Sequence, residues 1–257
     1  MKPMISPNSS LAIQTLALTQ KFDRFEAVKN LHLNVPTGSF FGFLGPNGAG
    51  KSTTIKMLTG LLRPSSGKIL VFGQDLQHAR VSLKQKMGVV PEKLHLFEQL
   101  SALEYLEFSG TMYGVHPTDI PQRSHELLSL MDLESRQHQP LADYSHGMRK
   151  KIALAAALMH EPQLLFLDEP FEGLDVVSAR TLQHLLKTLT HKGVTIFLTS
   201  HILEIVEKLC DHVAMIQNGQ LVMSAPMESL REKGPLEGQF LDYMGQQAGE
   251  SQLSWLT

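Results

Sequence analysis

The stretch that decides the fold is a glycine-rich loop, made of Gly45, Pro46, Asn47, Gly48, Ala49, Gly50, Lys51, Ser52 and Thr53. It fits the phosphate-binding pattern G-x-x-x-x-G-K-[ST]. Glycines let backbone N–H groups curl around phosphate oxygens, and the N-terminus of a following helix adds about half a positive charge. Lys51 is expected to reach the β- and γ-phosphates, and the Ser52 hydroxyl to bind Mg²⁺. We therefore predict a nucleoside triphosphate site.

The residues on either side of this loop are the ones that such a site needs. An apolar run, Ser39–Leu44, ends directly at the loop, and Ile55, Leu58, Leu61 and Leu62 follow it at helical spacing. The predicted order is therefore strand, loop, helix. A glycine-rich turn that binds nothing is a poor explanation of this order.

A second apolar run ends in two carboxylates. Leu164–Leu167 is followed by Asp168 and Glu169, which are expected at the C-terminal edge of a parallel sheet, where such folds bind ligands. Asp168 is predicted to hold Mg²⁺, through water. Glu169 is predicted to be the general base for the attacking water, a role worth about 10²–10⁴-fold in rate. A solvated strand end is the alternative, but it is weaker downstream of a complete phosphate loop.

One of the twelve histidines, His201, stands out by its position. It follows the apolar run Thr195–Thr199, so it is expected at the end of a core strand beside the predicted site. A neutral imidazole there is predicted to donate to a γ-phosphate oxygen. An ordinary surface or core histidine is the alternative.

The remaining pattern alternates strands with helices. Strands are predicted at Leu11–Leu18, Leu31–Val35, Lys68–Phe72, Met87–Val90, Val213–Ile216 and Leu221–Met223. A helix is predicted at Ser178–Leu189, and helical spacing without strand-like alternation runs from Phe97 to Met159. Asn218-Gly219 predicts a hairpin turn. The tail after Pro226 is expected to be partly helical, with Leu230, Phe240 and Leu241 available to dock.

Composition narrows the class of protein. Apolar residues make up 42% and charged residues 19% of the 257 residues, as in an ordinary globular protein. The net charge of −2 gives no overall basic footprint, so no nucleic-acid partner is expected. The longest apolar runs are far shorter than the roughly 18 residues that span a bilayer. The N-terminus has no apolar signal region, and the single Cys210 is expected to be a buried thiol. The chain is expected to work in the cytosol.

A five-residue element, Tyr144-Ser145-His146-Gly147-Met148, resembles the signature sequence of the nucleotide-binding subunits of ABC transporters, usually LSGGQ. The motifs occur in that family's order from Leu11 to about Met223, and other P-loop enzymes lack this element. Ser145 is a good N-cap for the helix after it. The resemblance implies that Ser145 and Gly147 contact the γ-phosphate of ATP held by a second cassette, and that two cassettes close head-to-tail around two ATP molecules.

The resemblance extends to three further positions. Phe22 lies where the family usually has a Tyr that stacks on adenine. Glu92 lies where most members have a Gln that links Mg²⁺ and the attacking water to the helical lobe, so it adds a negative charge near the metal. Gly173-Leu174-Asp175 resembles the loop that contacts the opposing cassette. The Pro-Glu and Tyr-Ser-His-Gly-Met variants look like those of the branch that exports drugs and antibiotics, so the resemblance points to export.

The resemblance also implies the architecture. The expected fold class is α/β: a P-loop NTPase core with a mostly parallel sheet, an N-terminal antiparallel β subdomain and an inserted α-helical subdomain. The expected cassette spans 9–225, with its core at about 9–95 and 160–225 and its helical subdomain at about 96–159. A partly helical tail at 226–257 is expected to follow.

Three functions remain open at this point. The first is an ATPase motor at the cytoplasmic face of a membrane, bound to a separate multi-span permease subunit and to a second cassette, expected to be a copy of this chain. The second is an ABC-type ATPase acting on ribosomes or DNA, but such proteins carry two cassettes or long coiled coils. The third is another P-loop kinase or GTPase, but a guanine-reading Asn-Lys-x-Asp is absent and the signature region has no explanation there.

Overall fold

The computed structural model describes residues 10–244, and the rest of the predicted tail lies outside them. The strands are β1 (Leu11–Phe22), β2 (Phe25–Leu31), β3 (Asn34–Pro36), β4 (Phe40–Leu44), β5 (Ser66–Val71), β6 (Gln74–Asp75), β7 (Met87–Val90), β8 (Leu164–Asp168), β9 (Thr195–Thr199), β10 (His212–Gln217) and β11 (Gln220–Pro226). The α-helices are α1 (Lys51–Leu58), α2 (Arg80–Lys84), α3 (Ala102–Met112), α4 (Ile120–Leu130), α5 (His146–Leu158), α6 (Val176–His191), α7 (Leu203–Leu209), α8 (Met227–Arg231) and α9 (Leu236–Met244).

The central sheet has the order β11-β10-β4-β9-β8-β7. Its strands pair in parallel except for β11, which forms an antiparallel hairpin with β10. The turn of that hairpin is Asn218-Gly219, as predicted, with positive φ angles of 50° and 81° that suit this pair of residues. The mostly parallel sheet of the predicted fold class is confirmed.

The apolar runs of the central strands exist because the sheet is buried on both faces. Alternate residues of β8 point to opposite sides. Leu164 and Phe166 pack in a core with α1 and the N-terminal sheet, whereas Leu165 and Leu167 pack in a core with the helical segment. Phe197 of β9 joins the first core and lies 5.6 Å from the Phe166 ring centroid.

The N-terminal sheet is antiparallel, as predicted, with the order β2-β1-β5-β6 and with β3 paired to β1. The prediction of one strand over Leu31–Val35 is wrong, because the extended segment is interrupted between the end of β2 at Leu31 and the start of β3 at Asn34. The Thr15 hydroxyl holds this break: it donates to Leu31 O at 2.8 Å and accepts from Leu33 N at 2.8 Å.

Between β7 and β8 the chain forms the predicted helical insertion, α3 to α5 with two short 3₁₀ turns, Glu134–Arg136 and Leu141–Asp143. Ser101 and Glu104 form a capping box at the start of α3, and Ser145 caps α5. None of the helices within residues 10–244 combines the length and apolar content needed to cross a bilayer.

Two details of the helices differ from the expectation. The helix after the phosphate loop ends at Leu58, where Gly60 N donates to Met57 O, so Leu61 is 66% exposed instead of lying on its apolar face. In the tail, Leu230 is buried and Phe240 packs against the core, but Leu241 is 59% exposed. Leu241 therefore does not dock.

Candidate nucleotide site

Three neighbouring strands end at one edge of the central sheet, and each leads into a predicted site segment. Thr199, the last residue of β9, pairs with Phe43 of β4 on one side and with Asp168 of β8 on the other. The phosphate loop, the carboxylates after β8 and His201 therefore follow adjacent parallel strands. The structure brings these sequence-predicted residues to one edge.

The phosphate loop is packed so tightly that two of its glycines accept no side chain. A Cβ on Gly45 would lie 2.3 Å from Ile216 O, and a Cβ on Gly50 would lie 2.5 Å from Ala27 O. Gly50 also has a φ of +109°, a backbone conformation that favours glycine. The glycines of the motif are thus required by packing as well as by the expected approach of a phosphate.

Lys51 lies folded into the loop. Its side chain is buried, and Nζ donates to Gly45 O at 2.6 Å and to Pro46 O at 3.2 Å. Thr54 Oγ1 donates to Gly50 O at 2.8 Å and fixes the first turn of α1. The ammonium group therefore points at the backbone carbonyls of the same loop that is predicted to bind the phosphates.

The β10–β11 turn forms a hydrogen bond with the phosphate loop, a contact that the sequence did not reveal. Gly219 N donates to Ala49 O at 3.0 Å, and Gly219 O accepts from Lys29 N at 2.7 Å. The Asn-Gly pair signalled a turn, but its position under the phosphate loop follows only from the strand order.

Thr199 holds both carboxylate residues after β8. Its Oγ1 donates to Asp168 Oδ1 at 2.5 Å and accepts from Glu169 N at 3.2 Å. Asp168 is 6% exposed and Thr199 is fully buried. Sequence reasoning missed Thr199, because its contact with Asp168 depends on β9 lying beside β8 in the sheet.

Glu169 makes a specific contact with His201. Its Oε2 accepts from His201 N at 3.2 Å and from His201 Nδ1 at 2.9 Å. The Glu169 side chain is 12% exposed and has a backbone φ of +50°, which is rare for residues other than glycine. Within residues 10–244, its Oε1 has no hydrogen-bond partner, so this oxygen remains free to accept a proton.

The contact with Glu169 restricts what His201 can donate. An ionised carboxylate only accepts, so Nδ1 must carry the proton in this pair. A neutral imidazole then presents Nε2 as an acceptor, and only the imidazolium donates from both nitrogens. The predicted donation from a neutral His201 to a phosphate oxygen therefore requires that the contact with Glu169 be given up.

The donors available for a metal are oxygen atoms. They are the half-buried Ser52 hydroxyl at the start of α1, the Asp168 carboxylate and the exposed Glu92, two residues beyond β7. No cluster of three or more His, Cys, Asp or Glu side chains in the described part of the chain is arranged to hold a metal. Mg²⁺ takes oxygen ligands, commonly one or two carboxylates plus substrate phosphates, so this donor set fits it.

The signature element lies at the start of α5. The exposed Ser145 accepts from Met148 N at 3.3 Å, which confirms it as the N-cap. His146 packs on Gly173, where a Cβ would lie 2.8 Å from His146 Cδ2. Among residues 10–244, no hydrogen bond joins Ser145 or Gly147 to the phosphate loop.

Asp175 caps helix α6 beside this element. Its Oδ1 accepts from Val177 N and Ser178 N, both at 2.9 Å, and its Oδ2 accepts from Ser178 Oγ at 2.6 Å. Hydrogen bonds from the Ser178 side chain and backbone lower the pKa of Asp175 below its ordinary value. The Asp175 end of the loop Gly173–Asp175 is therefore held by three hydrogen bonds.

Phe22 lies at the end of β1 and is 46% exposed, so about half of the residue is accessible. Phe25 is its Cα partner across the hairpin with β2 and is 63% exposed. Sequence reasoning missed this second exposed ring, because an isolated Phe three residues from the first carries no motif.

Known proteins resemble the chain in sequence and fold. The sequence profile of the ABC transporter family matches residues 28–172. The chain is 38% identical over 210 residues to the linearmycin resistance ATP-binding protein LnrL of Bacillus subtilis (strain 168), covering 82% of this chain and 68% of that protein. It is 35% identical over 225 residues to the bacitracin transport ATP-binding protein BcrA of Bacillus licheniformis, covering 87% and 72%. A solved ATP-binding subunit of an ABC transporter matches with a TM-score of 0.85 at 28% identity, covering 91% of this chain and all of that one.

The family profile spans the phosphate loop, the signature element and the carboxylates after β8, the segments on which the resemblance rested. A kinase or GTPase offers no account of this whole set. The chain belongs to the ABC transporter family, as one of its ATP-binding and ATP-hydrolysing subunits.

Proposed function

We propose that two copies of this chain close around two ATP molecules and that their hydrolysis drives export through a separate multi-span membrane permease. The observation that carries the catalytic part is the Glu169 carboxylate at the sheet edge. One of its oxygens is held by His201, and the other is free to accept a proton.

ATP is bound by the phosphate loop, residues 45–53. Lys51 exchanges its contacts with Gly45 O and Pro46 O for the β- and γ-phosphates, and the loop N–H groups face the same oxygens. Phe22 stacks on the adenine ring, and base–aromatic stacking contributes about 1–3 kcal/mol in nucleic-acid systems.

Ser52, Asp168 and Glu92 would hold Mg²⁺, with Asp168 acting through water. When bound, the ion would supply positive charge that offsets the negative charge of the phosphates. Thr199 fixes the Asp168 carboxylate for this task through the hydrogen bond at 2.5 Å. Glu92 would bring a carboxylate, and with it a formal negative charge, to this metal.

Glu169 is the general base. Its free Oε1 accepts a proton from the attacking water, while His201 holds Oε2 and thereby the orientation of the carboxylate. General-base assistance of this kind contributes about 10²–10⁴-fold in rate. His201 then contacts the γ-phosphate when its bond to Glu169 is released.

A second copy of the chain completes each site. Ser145 and Gly147 lie at the positive end of α5, which favours an anion, and within residues 10–244 no hydrogen bond joins them to the phosphate loop. In a twofold arrangement each α5 faces the ATP of the other copy. The same surface then serves both chains, as a closed dimer requires.

The permease binds the helical subdomain, about 96–159, together with the segment Lys93–Leu100. Phe97 and Phe108 are 57% and 42% exposed and pack edge to face at 5.2 Å, and Met112 nearby in sequence is 69% exposed. Exposed apolar side chains of this kind favour a protein partner.

The core of the cassette is about 9–95 and 160–225. The cassette ends near residue 225, and the tail 226–257 follows it.

Two relatives support the proposal of export. The similar proteins from the two Bacillus species are named for linearmycin resistance and for bacitracin transport. We place the chain at the cytoplasmic face of the membrane, held there by its permease. Fractionation tests this: the chain should sediment with membranes only when its multi-span partner is co-expressed. Sedimentation without the partner contradicts the proposal.

The catalytic test is Glu169→Gln. ATP binding should stay within about twofold, turnover should fall by about 10²–10⁴-fold, and an ATP-bound dimer should accumulate in size-exclusion chromatography with light scattering. Glu228→Gln is the control, since Glu228 is an exposed glutamate of α8 that has no role in the proposed site, and it should retain normal turnover. Normal turnover in Glu169→Gln removes the assignment of Glu169 as base.

A further inference from the structure

A buried lysine lies under the turn that carries Glu169. Lys150, on the second turn of α5, is 4% exposed. Its Nζ donates to Glu169 O at 2.7 Å and to Glu172 O at 2.6 Å. Nothing in the signature pattern or in the strand ends pointed to this residue.

The two carbonyls that Lys150 binds lie at the two ends of one tight turn. Glu172 N donates back to Glu169 O at 3.3 Å, so Glu169 O accepts from both the backbone and the lysine. Glu169 has a φ of +50° within this turn. Such a conformation persists in a residue other than glycine only when its surroundings hold it.

Burying an ammonium group is unfavourable unless it is paired and hydrogen-bonded. Burial lowers the pKa of Lys150, whereas the nearby carboxylates raise it, in decreasing order those of Glu172, Glu169, Glu92 and Asp168. The hydrogen bonds of Nζ nevertheless go to backbone carbonyls and not to a carboxylate. The lysine therefore restrains the backbone of the turn and forms no hydrogen bond with the carboxylates.

We propose that Lys150 is a positioning residue for hydrolysis: it sets the backbone of Glu169, so that the carboxylate points at the attacking water. The inference rests on the proposed role of Glu169 as the base. It also joins Glu169 to α5, whose first residues are the signature element. Lys150 lies five residues after Ser145, about 7.5 Å along a rigid helix.

The test removes the two hydrogen bonds while keeping an unbranched side chain. Lys150→Met should lower kcat by about 10²-fold, because a displacement of about 1 Å in a catalytic group costs that much. ATP binding to the isolated monomer should stay within about twofold of the unmodified protein. Lys150→Arg, which keeps the cation and its donors, should recover at least about tenfold of the loss. A purely structural role would not separate kcat from binding in this way.

Lys151→Met is the matched control. Lys151 is the next residue of the same helix, is half-buried, and makes no hydrogen bond or ion pair within residues 10–244. Its kcat and nucleotide affinity should match those of the unmodified protein.

A double-mutant cycle separates action through Glu169 from independent effects. Single-turnover hydrolysis of radiolabelled ATP should be no more than about twofold slower in Lys150→Met/Glu169→Gln than in Glu169→Gln alone. If the two losses multiply, Lys150 acts independently of Glu169 and the inference is overturned.

The other possible outcomes also test the role of Lys150. Normal kcat in Lys150→Met beside an inactive Glu169→Gln overturns the inference and leaves the proposed function standing, whereas normal turnover in Glu169→Gln removes the proposed base itself. If Lys150→Met does not fold, Lys150→Gln carries the test with the same expected split between kcat and binding. Loss of monomer ATP binding in the Met, Gln and Arg variants alike makes Lys150 a structural residue and overturns the inference.

Discussion

Replacing Thr199 by valine removes one hydroxyl from the centre of the site and little else. Valine has nearly the same shape, and Thr199 is fully buried at the end of β9. Asp168 Oδ1 loses the donor that lies 2.5 Å away. Glu169 N loses one of two acceptors but keeps Thr199 O at 3.3 Å. The variant therefore isolates the bond to the Asp168 carboxylate.

The expected cost follows from the charge and burial of that carboxylate. A hydrogen bond to a charged group contributes about 1.5–3 kcal/mol, and a buried acceptor left without a donor costs a similar amount. Asp168 is 6% exposed, so water replaces the hydroxyl poorly. We expect Thr199→Val to lower the free energy of unfolding by about 2–3 kcal/mol. For a chain of this size that corresponds to a fall in Tm of about 4–12 °C.

Thr195→Val is the matched control on the same strand. Thr195 is also fully buried, but its Oγ1 accepts from the neutral Gly38 N at 2.9 Å. A neutral hydrogen bond contributes about 0.5–1.5 kcal/mol, so this variant should lose only about 1–6 °C. Scanning calorimetry of both variants without nucleotide or Mg²⁺ measures the difference. A Thr199→Val protein that melts no lower than Thr195→Val contradicts the argument from the charged partner.

Three further perturbations test other parts of the structure. Gly45→Ala places a Cβ 2.3 Å from Ile216 O. It should lower the free energy of unfolding in urea by about 3 kcal/mol and abolish ATP binding. Unchanged ATP binding contradicts the packing argument. Ser145→Arg should abolish hydrolysis and leave nucleotide titration of the monomer unchanged, and lost monomer binding would remove its role toward a second copy. His160 donates to Met87 O while its buried Nδ1 has no partner within residues 10–244, and burial lowers its pKa. The contribution of neutral His160 to the free energy of unfolding is therefore complete above about pH 6.5, and it is lost as the pH falls through the lower folded pKa. We expect Tm to fall less between pH 7.5 and 5 in His160→Gln than in the unmodified protein. An equal fall in Tm contradicts this argument.

The sequence predicted the elements whose signals are local. The predicted bounds of β7 and β9, Met87–Val90 and Thr195–Thr199, match the structure because each is a short apolar run buried on both faces. The phosphate loop and the Asn218-Gly219 turn were predictable because their backbone conformations demand particular residues. The N-cap at Ser145 was predictable for the same reason.

The contacts that tune the site depend on which strands are neighbours. Thr199 contacts Asp168 only because β9 lies beside β8, although 31 positions separate the two residues in the chain. Lys150 reads as one of several basic residues early in α5, and only the packing of that helix under the turn after β8 buries it. The break between β2 and β3 depends on Thr15 from a different strand. None of these has a pattern within a single segment.

The contacts of the isolated chain suggest how ATP and a second copy divide the work of binding. In the proposed function Lys51 exchanges its bonds to loop carbonyls, and a neutral His201 its bond to Glu169, for contacts with phosphates. The gain on binding ATP is the difference between the old and new contacts, which argues for modest affinity in one chain. In the proposed dimer the α5 terminus, by contrast, offers its positive end to an anion held by the other copy. Closure by a second copy would then add interaction energy to the binding of ATP. A ligand shifts a conformational equilibrium only by such a difference, so under the proposed function ATP should favour the closed dimer as long as its γ-phosphate is present to bind both chains.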